Sequence, residues 1–255
     1  MKIATWNVNS LRVRLPQVLD WLAREQPDIL GLQETKVPDE EFPVAEIQAA
    51  GYHAVYSGQK AYNGVALLSR LPAHDVVRDL PNLNDTQRRV IAATIGDVRV
   101  LNLYVPNGES VESEKYAYKL DWLEKLIQYV EGMLAVYPRV VLIGDFNIAP
   151  EDRDVHDPKA WEGRVLFSEP EKAAFRRLLD TGLCDTFRLF EQEEKSFSWW
   201  DYRMMAFRRN MGLRIDHILA SRELCAACRS CRIDKGPRRL ERPSDHAPVV
   251  AEFAL

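Results

Sequence analysis

The sequence predicts an α/β fold whose sheets mix parallel and antiparallel strands. Short apolar segments rich in β-branched residues alternate with segments of helical periodicity, which indicates strand-helix-strand units. Two pairs of apolar segments flank tight turns, at Asn63-Gly64 and at Gly96-Asp97, which indicates hairpins. No repeat of solenoid length and no linker-like tract divides the 255 residues. We therefore expect one domain, residues 1–255, with mixed sheets.

Each predicted element has a local signature. The helices carry apolar residues three and four apart, and Pro27 and Pro138 follow two of them before the next strand begins. The strands are short and are bounded by turn-forming residues. In chain order the elements are a strand at 2–6, a helix at Leu11–Glu25, a strand at 28–32, a hairpin within 51–74, a hairpin of 90–95 and 98–105, a helix at Glu114–Val136, a strand at 139–144, a helix at 169–179, and strands at 214–220 and 247–253.

Composition narrows the function classes. A chain of this length buries roughly 70–75% of its unfolded surface, so it needs no disulfide or structural metal for stability. No apolar stretch approaches the ~20 residues of a membrane span, and Met1-Lys2 leads directly into a strand, so we expect a cytoplasmic protein with reduced thiols. The net charge of −4, taken over the whole chain, disfavours a nucleic-acid partner, but the local distribution of charge does not. Basic residues cluster at 88–89, 203–209 and 229–242, and acidic residues cluster at 39–41, 109–114 and 191–194.

Polar side chains follow several apolar segments at the point where each predicted strand ends or begins. They include amides, carboxylates and one imidazole, and such groups at strand ends are where binding sites are usually built. Together they indicate a metal-dependent phosphodiesterase site. The segments are Asn7-Val8-Asn9, Gln33-Glu34, Gly144-Asp145-Phe146-Asn147 and Ser244-Asp245-His246.

Asp145 and Asn147 are the strongest candidates for the reaction itself. They stand two apart after a strand, so in extended geometry both side chains point the same way. A carboxylate there can take a proton from water while the amide holds a phosphate oxygen. The alternative is an Asx turn that ends the strand.

Glu34 and Asp216 indicate a metal ligand and an imidazole partner. A lone oxygen ligand such as Glu34 suits Mg²⁺, which keeps several of its waters; the alternative is a surface glutamate paired with Lys36. Asp216 lies in an apolar segment where an unpaired carboxylate is costly, and His246 can compensate for its charge. Such a pair keeps the ring cationic and oriented for a phosphoryl oxygen. The alternative is a purely structural histidine.

Two further patterns leave alternatives open. Cys225, Cys228 and Cys231, with Cys184 as a distant fourth, have the spacing of an iron–sulfur site, but a short helix running into a strand would separate the thiols, so ordinary semi-buried residues are favoured. The aromatic segment at 196–203 is either a stacking platform for bases or sugars or a strand with core aromatics.

Taken together, these motifs resemble the exonuclease III family of DNA-repair nucleases, also called abasic-site (AP) endonucleases. The resemblance spans essentially the whole chain and implies the DNase I-like fold, a four-layer α/β (α+β) sandwich of two mixed β-sheets face to face, flanked by helices. The matching segments are residues 5–12, 32–36, 64–69, 104–108, 144–149, 200–203, 212–216 and 244–248.

The resemblance also implies roles for individual residues. Asp145 would activate the attacking water, Asn147 would contact the phosphate, His246 held by Asp216 would stabilise developing charge, and Tyr104 would lie at the scissile phosphate. Glu34 would hold Mg²⁺ or Mn²⁺, with Asn7, Asp245, Asp145 and Asn147 around the ion, and Asn7 would also belong to the catalytic set. The expected DNA contacts are Lys36, Tyr62, Arg88, Asn107 and Lys119, with Trp199 and Leu213 near the position of a flipped-out sugar.

The resulting prediction is a cytoplasmic, monomeric, Mg²⁺-dependent phosphodiesterase that acts on double-stranded DNA with abasic sites or blocked 3′ ends. Its activities would be 3′→5′ exonuclease, 3′-phosphatase or phosphodiesterase, and AP endonuclease. Two features favour hydrolysis at 3′ ends. The loop at 108–114 is acidic where some abasic-site specialists place an arginine that enters the duplex, and the bulky side chains of Leu166 and Phe167 lie near the sugar position. The alternatives are a small-phosphoester phosphatase, such as one for phosphoinositides, and a non-catalytic nucleic-acid-binding regulator on this fold.

Overall fold

Two six-stranded β-sheets pack face to face in the structure, a computed structural model that describes residues 1–255. The helices are α1 (Leu11–Glu25), α2 (Val44–Ala49), α3 (Glu114–Val136), α4 (Pro158–Trp161), α5 (Glu169–Asp180) and α6 (Arg222–Ala227). The strands are β1 (Lys2–Asn7), β2 (Ile29–Gln33), β3 (His53–Ser57), β4 (Val65–Ser69), β5 (Ala73–Arg78), β6 (Val90–Ile95), β7 (Val98–Tyr104), β8 (Val140–Asp145), β9 (Leu183–Asp185), β10 (Trp199–Trp200), β11 (Gly212–Leu213), β12 (Asp216–Ser221), β13 (Cys228–Ile233) and β14 (Val249–Phe253).

Both large sheets are mixed, as predicted. The first has the order β13-β14-β1-β2-β4-β3 and the second the order β5-β6-β7-β8-β12-β9. Each contains one parallel pair, β1 with β2 and β7 with β8, and its other pairs are antiparallel. Strands β10 and β11 form a separate small ribbon.

Strand alternation explains the layers. In β8, Val141 and Ile143 pack into the core between the two sheets, whereas Val140 and Leu142 pack against α3 and α5. The first sheet likewise buries its outer face, including Trp6, against α1. A strand that is covered on both faces reads as a continuous apolar run rather than an alternating one. The four-layer sandwich implied by the resemblance is confirmed.

The inward-facing rows of residues become polar at one end of the sandwich. In β1 the row changes from Ile3 to Asn7, and in β8 it changes from Ile143 to Asp145. Asn102 of β7 lies buried near this end, donates to backbone carbonyls of β2 and β4, and accepts from the amide of Gln33. The polar ends of both sheets therefore face each other and form the walls of one site.

One predicted strand begins later than expected. The pattern at 214–220 starts as β12 only at Asp216, because the hydroxyl oxygen of Ser198 accepts hydrogen bonds from the backbone N–H groups of Ile215 and Asp216, both at 3.0 Å. A side chain far away in the sequence thus replaces a strand partner. No helix of the structure is long and apolar enough to cross a membrane.

The cysteines correct the prediction of reduced thiols. Cys184 of β9 and Cys225 of α6 form a disulfide, with their Cα atoms 6.3 Å apart. Cys228 and Cys231 remain free and are buried on β13. Cys184 and Cys225 are 41 residues apart, so only the pairing of distant elements brings them together. The four thiols do not gather into an iron–sulfur site.

Breaking this disulfide should lower stability. Cys184→Ser with Cys225→Ser should reduce the free energy of unfolding by roughly 2–4 kcal/mol, because the cross-link restricts the unfolded chain. Denaturant unfolding with and without reductant measures the change. Under denaturing, non-reducing conditions we expect two titratable thiols and no visible absorbance from iron; four free thiols would contradict the pairing.

Candidate active site

The site lies where β1, β2 and β8 end, and strand pairing explains why. Strands β1 and β2 are parallel, so Asn7 and Gln33 are register partners and Glu34 follows at the same edge. Strand β12 runs antiparallel to β8, which sets Asp216 directly opposite Asp145. The segment before β14 then brings His246 against both carboxylates.

Asp145 is the buried centre of the site. Its Oδ1 accepts from the backbone N–H of Asn147 at 3.0 Å, and its Oδ2 accepts from the side-chain amide of Asn7 at 2.9 Å. The Nε2 of His246 is 3.6 Å from the same Oδ2. Burial raises the pKa of Asp145 to about 7 against the opposing charge of His246. A carboxylate with a pKa near the working pH is suited to accept a proton from water.

His246 is held as a cation. Its Nδ1 lies 2.9 Å from Oδ2 of Asp216. Burial alone would lower the pKa of His246, but the charges of Asp216 and Asp145 outweigh it and raise the pKa to about 10. At neutral pH the ring is therefore an imidazolium, which can stabilise negative charge that develops on a phosphoryl oxygen.

Glu34, Asp145 and His246 can hold a metal ion, since their nearest ligand atoms all lie within 4.8 Å of one another. The imidazolium is unsuited as a ligand, which leaves two carboxylates, the ligand type that Mg²⁺ and Mn²⁺ prefer. Burial, and then the charges of Glu34 and Asp145, raise the pKa of the Tyr104 hydroxyl well above its ordinary value. This concentration of negative charge fits a divalent cation between the two carboxylates.

Asn7 lies between the two carboxylates of the candidate site. Its Nδ2 donates to Glu34 at 2.8 Å and to Asp145 at 2.9 Å, and its Oδ1 accepts from the backbone N–H of Asn9 at 2.9 Å. Because a backbone N–H needs an acceptor, this bond fixes the orientation of the amide. Asn7 therefore turns its donor, not its oxygen, toward the carboxylates and joins Glu34 to Asp145 in this structure, while its place around the metal ion stays a prediction.

Asp245 lies outside the group formed by Glu34, Asp145 and His246, and the side chain of Asn147 is directed to the backbone. Asp245 accepts from Asn9 at 3.1 Å and from the indole N–H of Trp199 at 3.0 Å. The side chain of Asn147 donates to the carbonyl of Val105 at 2.9 Å. In this arrangement neither side chain is a direct partner of Glu34, and their place around the metal ion stays a prediction, whereas Glu34 and Asp145 already lie together.

Backbone strain concentrates around the site. Asn9, Glu34, Lys36 and Asn147 all have φ between 42° and 55°. For residues other than glycine this left-handed region is uncommon and costs of order 1 kcal/mol, and such residues cluster at functional sites. Asn tolerates this conformation, but Glu and Lys do so less readily, which marks the β2 end as a segment shaped by the site.

The expected DNA contacts divide into two groups. Tyr62, which is 71% exposed, and Asn107 line a cleft of about 560 Å³ that also contains Tyr104. Arg88 is half exposed and pairs with Asp79, and Lys36 lies 3.4 Å from Glu34. Arg89, which the sequence did not single out by itself, also lines this cleft and covers the ring of Tyr104. These residues surround the approach to the site.

Two of the expected DNA contacts are buried in this structure. The side chain of Lys119 is fully buried and pairs with Glu171, so its charge does not reach a phosphate backbone. Leu213 is also fully buried, within a cluster that includes Leu166 and Phe167. Trp199 packs over this cluster and is half-buried. The apolar segment around Leu213 therefore supports Trp199 from below.

The predicted site residues do not include Arg214 and Ser198. The buried guanidinium of Arg214 pairs with Asp154 at 2.7 Å and with Asp185 at 2.7 Å, and lies 3.2 Å from Nδ1 of His217. Since arginine only donates, His217 accepts at Nδ1 and donates from Nε2 to the carbonyl of Ile148 at 2.8 Å. His217 is therefore neutral. A buried arginine beside a strand aspartate was the available signal in the sequence.

Acid should destabilise the protein through His217. Burial and the adjacent Arg214 lower the pKa of His217 to about 4, against 6.5 for the free residue. The folded state thus resists protonation, so this stability is present above pH 6.5 and is lost as the pH falls toward 4, by up to about 3 kcal/mol. Denaturant unfolding at pH 7.5 and 4.5 measures it. His217→Asn should flatten this dependence; an unchanged pH dependence would contradict the neutral assignment.

Comparison with known proteins agrees with this geometry. The model of the "Endonuclease/Exonuclease/phosphatase family" matches residues 4–246. The chain belongs to this family. It is 41% identical over 266 residues to the exodeoxyribonuclease III of Haemophilus influenzae, an alignment that covers 99% of this chain and 100% of the relative. The resemblance to the exonuclease III family is confirmed.

Solved structures of family members superpose closely on the chain. The 3′ phosphatase NExo from Neisseria, solved in a substituted form bound to product DNA hairpin, is 51% identical with a TM-score of 0.99, and 100% of each chain is covered. An AP endonuclease from Archaeoglobus fulgidus is 42% identical with a TM-score of 0.96, again with 100% of each chain covered. This family member thus resembles both a 3′-end enzyme and an abasic-site enzyme.

Proposed function

We propose that the chain is a Mg²⁺-dependent DNA-repair nuclease that hydrolyses phosphoester bonds at DNA 3′ ends and beside abasic sites. The observation that carries the proposal is the position of Asp145. It lies beside the His246 imidazolium, and the side-chain amide of Asn7 joins Asp145 to Glu34. This arrangement places a base, a cation and a metal carboxylate around one point. Relatives named for exonuclease, AP endonuclease and 3′ phosphatase activity support the substrate class.

The chain's own residues supply positioning and charge for in-line attack on phosphorus. Asp145 accepts the proton of the attacking water, and the N–H of Asn147 holds the carboxylate in place. His246, oriented by Asp216, faces the negative charge that develops on the phosphoryl oxygen. Mg²⁺ held by Glu34 beside Asp145 would act as a Lewis acid on the phosphate, and Mn²⁺ should substitute for it.

The predicted DNA-contacting side chains lie along the approach to the site. Tyr62 and Asn107 line the Tyr104 cleft, Lys36 lies beside Glu34, and Arg88 pairs with Asp79 next to Arg89 of the cleft. Backbone contacts of this kind carry affinity without reading sequence and weaken as salt increases. We propose that the enzyme recognises the shape of duplex DNA and its damaged ends rather than a base sequence.

We propose that processing of 3′ ends equals or exceeds abasic-site incision. The loop before α3 is exposed and acidic, so it is unsuited to enter a duplex. Leu166 and Phe167 fill the space beneath Trp199, beside Leu213. An internal abasic sugar must leave the stack, which costs a few kcal/mol that pocket contacts have to offset. A frayed 3′ end depends less on a loop that enters the duplex and less on pocket contacts to the sugar.

Leu166→Gly should shift this balance. Leu166 has a φ of 77°, a conformation that glycine adopts without strain, so the change opens space beside Leu213 without a backbone cost. We expect abasic incision to rise relative to 3′ trimming, measured on both duplexes with one preparation. Leu71→Gly, at an exposed leucine, serves as the control. If neither Leu166→Gly nor Phe167→Gly moves the ratio, these residues are simply core.

One experiment tests the substrate assignment. A single preparation is assayed on 3′-recessed, 3′-phosphate and internal-abasic duplexes, with Mg²⁺ and with a chelator. We expect hydrolysis of all three with Mg²⁺ and none with the chelator, the 3′ ends reacting at least as fast as the abasic site. Duplex binding without hydrolysis would instead indicate a non-catalytic regulator.

We also propose that the enzyme is a monomeric single domain that works in the cytoplasm. The groups of the candidate site lie together within this chain, and the sheets share one continuous core between them. The Haemophilus relative is named for action on DNA, which in a bacterial cell lies in the cytoplasm. Sedimentation analysis, limited proteolysis and cell fractionation test the three statements.

A further inference from the structure

The ammonium group of Lys119 lies inside the protein at the active-site end. Lys119 stands in the second turn of α3, and its side chain and that of Glu171 are both 0% exposed. The Nζ donates to the carbonyl of Asn147 at 2.6 Å, to the carbonyl of Asn107 at 3.1 Å and to the carboxylate of Glu171. An ammonium has three N–H groups, so its donor capacity is fully used.

Glu171 connects this ammonium to a third loop. Its Oε1 accepts from the backbone N–H of Leu166 at 3.0 Å as well as from Lys119. Its Oε2 accepts from the backbone N–H of Ser168 at 3.0 Å and from the hydroxyl of Ser168 at 2.6 Å. Every bond of the pair thus ends on a loop that borders the site or the apolar cluster beneath Trp199.

Stability alone does not account for this ion pair. Removing two charges from water costs several kcal/mol each, and apolar side chains of similar volume are often as stable or more stable in the same place. The pair offers something that apolar residues lack, namely donors aimed at two specific carbonyl groups. Those carbonyls belong to Asn107, which lines the Tyr104 cleft, and Asn147, which contacts Asp145.

The bond to Asn147 acts on the catalytic carboxylate through one residue. Asn147 has a φ of 48°, so its backbone is in the left-handed region. Its N–H donates to Asp145 at 3.0 Å while its C=O accepts from Lys119 at 2.6 Å. Holding the carbonyl therefore fixes the direction of the N–H that orients Asp145. Without the ammonium, Asn147 loses a partner that holds it in a conformation of higher energy.

We propose that Lys119 is a positioning residue for hydrolysis. It holds Asn147 in the conformation that orients Asp145, and through Glu171 it also holds the Leu166–Ser168 loop in place. The inference rests on the proposed function of Asp145 as the base. Lys119 touches neither substrate nor metal, so its removal should affect the rate of the chemical step more than duplex binding.

The test replaces the ion pair by an apolar pair, Lys119→Met with Glu171→Leu. We expect a folded protein whose kcat on a 3′-phosphate duplex falls tenfold or more while KM stays within about threefold, because only transition-state positioning is lost. The matched control is Glu124→Gln with Arg177→Gln, which removes an exposed ion pair between the same helices α3 and α5. The control should keep the wild-type kcat.

Other outcomes overturn the proposal. A kcat within twofold of wild type in the folded apolar variant would show that the pair is structural only. If that variant does not fold, it is replaced by Lys119→Met with Glu171→Gln, which keeps an acceptor for the loop amides, and the same criterion applies. If neither variant folds, the ion pair serves stability alone. Asp145→Asn separates the two levels: wild-type activity there refutes Asp145 as the base and with it the proposed function, whereas an inactive Asp145→Asn beside a fully active apolar variant refutes only the role of Lys119.

Discussion

Asp145→Asn should reduce turnover by about 10²- to 10⁴-fold, the range expected when a positioned general base is removed. An amide has the same shape as the carboxylate but does not take a proton from water at neutral pH. Duplex binding should persist, because the residues of the Tyr104 cleft that are proposed to contact DNA are unchanged. Single-turnover rates and equilibrium binding to a 3′-phosphate duplex measure the two quantities separately.

Loss of activity in this variant should not reflect unfolding. Burial raises the pKa of Asp145 to about 7 from 3.8, so the charged carboxylate costs stability that increases as the pH rises from 3.8 to 7. An amide keeps one acceptor but turns a donor toward Asn7 or Asn147, so circular dichroism at pH 8 checks the fold of Asp145→Asn before its activity is compared. Asp152→Asn, at an exposed position, is the control. Cleavage within about tenfold of wild type, a barrier change of only ~1.4 kcal/mol, would show that Asp145 is not the base.

Glu34→Ala should raise the Mg²⁺ concentration required for half-maximal activity by roughly hundredfold or more. Removing even an outer partner of a metal site costs about 10- to 100-fold in affinity, and Glu34 is one of the expected direct ligands. The substitution also frees the amide of Asn7, which now joins Glu34 to Asp145. Activity measured against Mg²⁺ concentration gives the shift.

The control for this variant is Glu41→Ala, at an exposed glutamate that pairs only with Arg12. It should leave the Mg²⁺ titration unchanged. A chelator should abolish exonuclease, phosphatase and incision activities together, because the three activities are expected to share one metal-dependent site. If Glu34→Ala titrates with Mg²⁺ like wild type, the ion is held elsewhere.

Much of the fold follows from local patterns. The helices at Leu11–Glu25 and Glu114–Val136 have the predicted bounds, because their apolar spacing and the prolines that follow are local signals. The candidate site residues Glu34, Asp145 and His246 are also predictable from the sequence, because each stands next to an end of an apolar segment. The pairing of the two sheets required the family resemblance, because no local pattern specifies which faces meet.

The residues that were misplaced share a physical reason. Lys119 was expected on the surface because charge normally is, yet Glu171 and two carbonyls satisfy its ammonium inside the protein. The amide orientation of Asn7 depends on the backbone N–H of Asn9, and the disulfide depends on β9 reaching α6. Each outcome is decided by a partner distant in space or by one hydrogen bond, which residue type alone does not reveal.

The most direct test of the central claim is to offer one preparation two phosphomonoesters, a duplex ending in a 3′-phosphate and a soluble inositol phosphate, first with chelator and then after Mg²⁺ is restored. Phosphate release from the duplex alone, and only with Mg²⁺, is the result expected of a metal-dependent DNA 3′-end enzyme built on Glu34, Asp145 and His246. Release from the inositol phosphate at a comparable rate, or release from the duplex that persists with chelator, would contradict it.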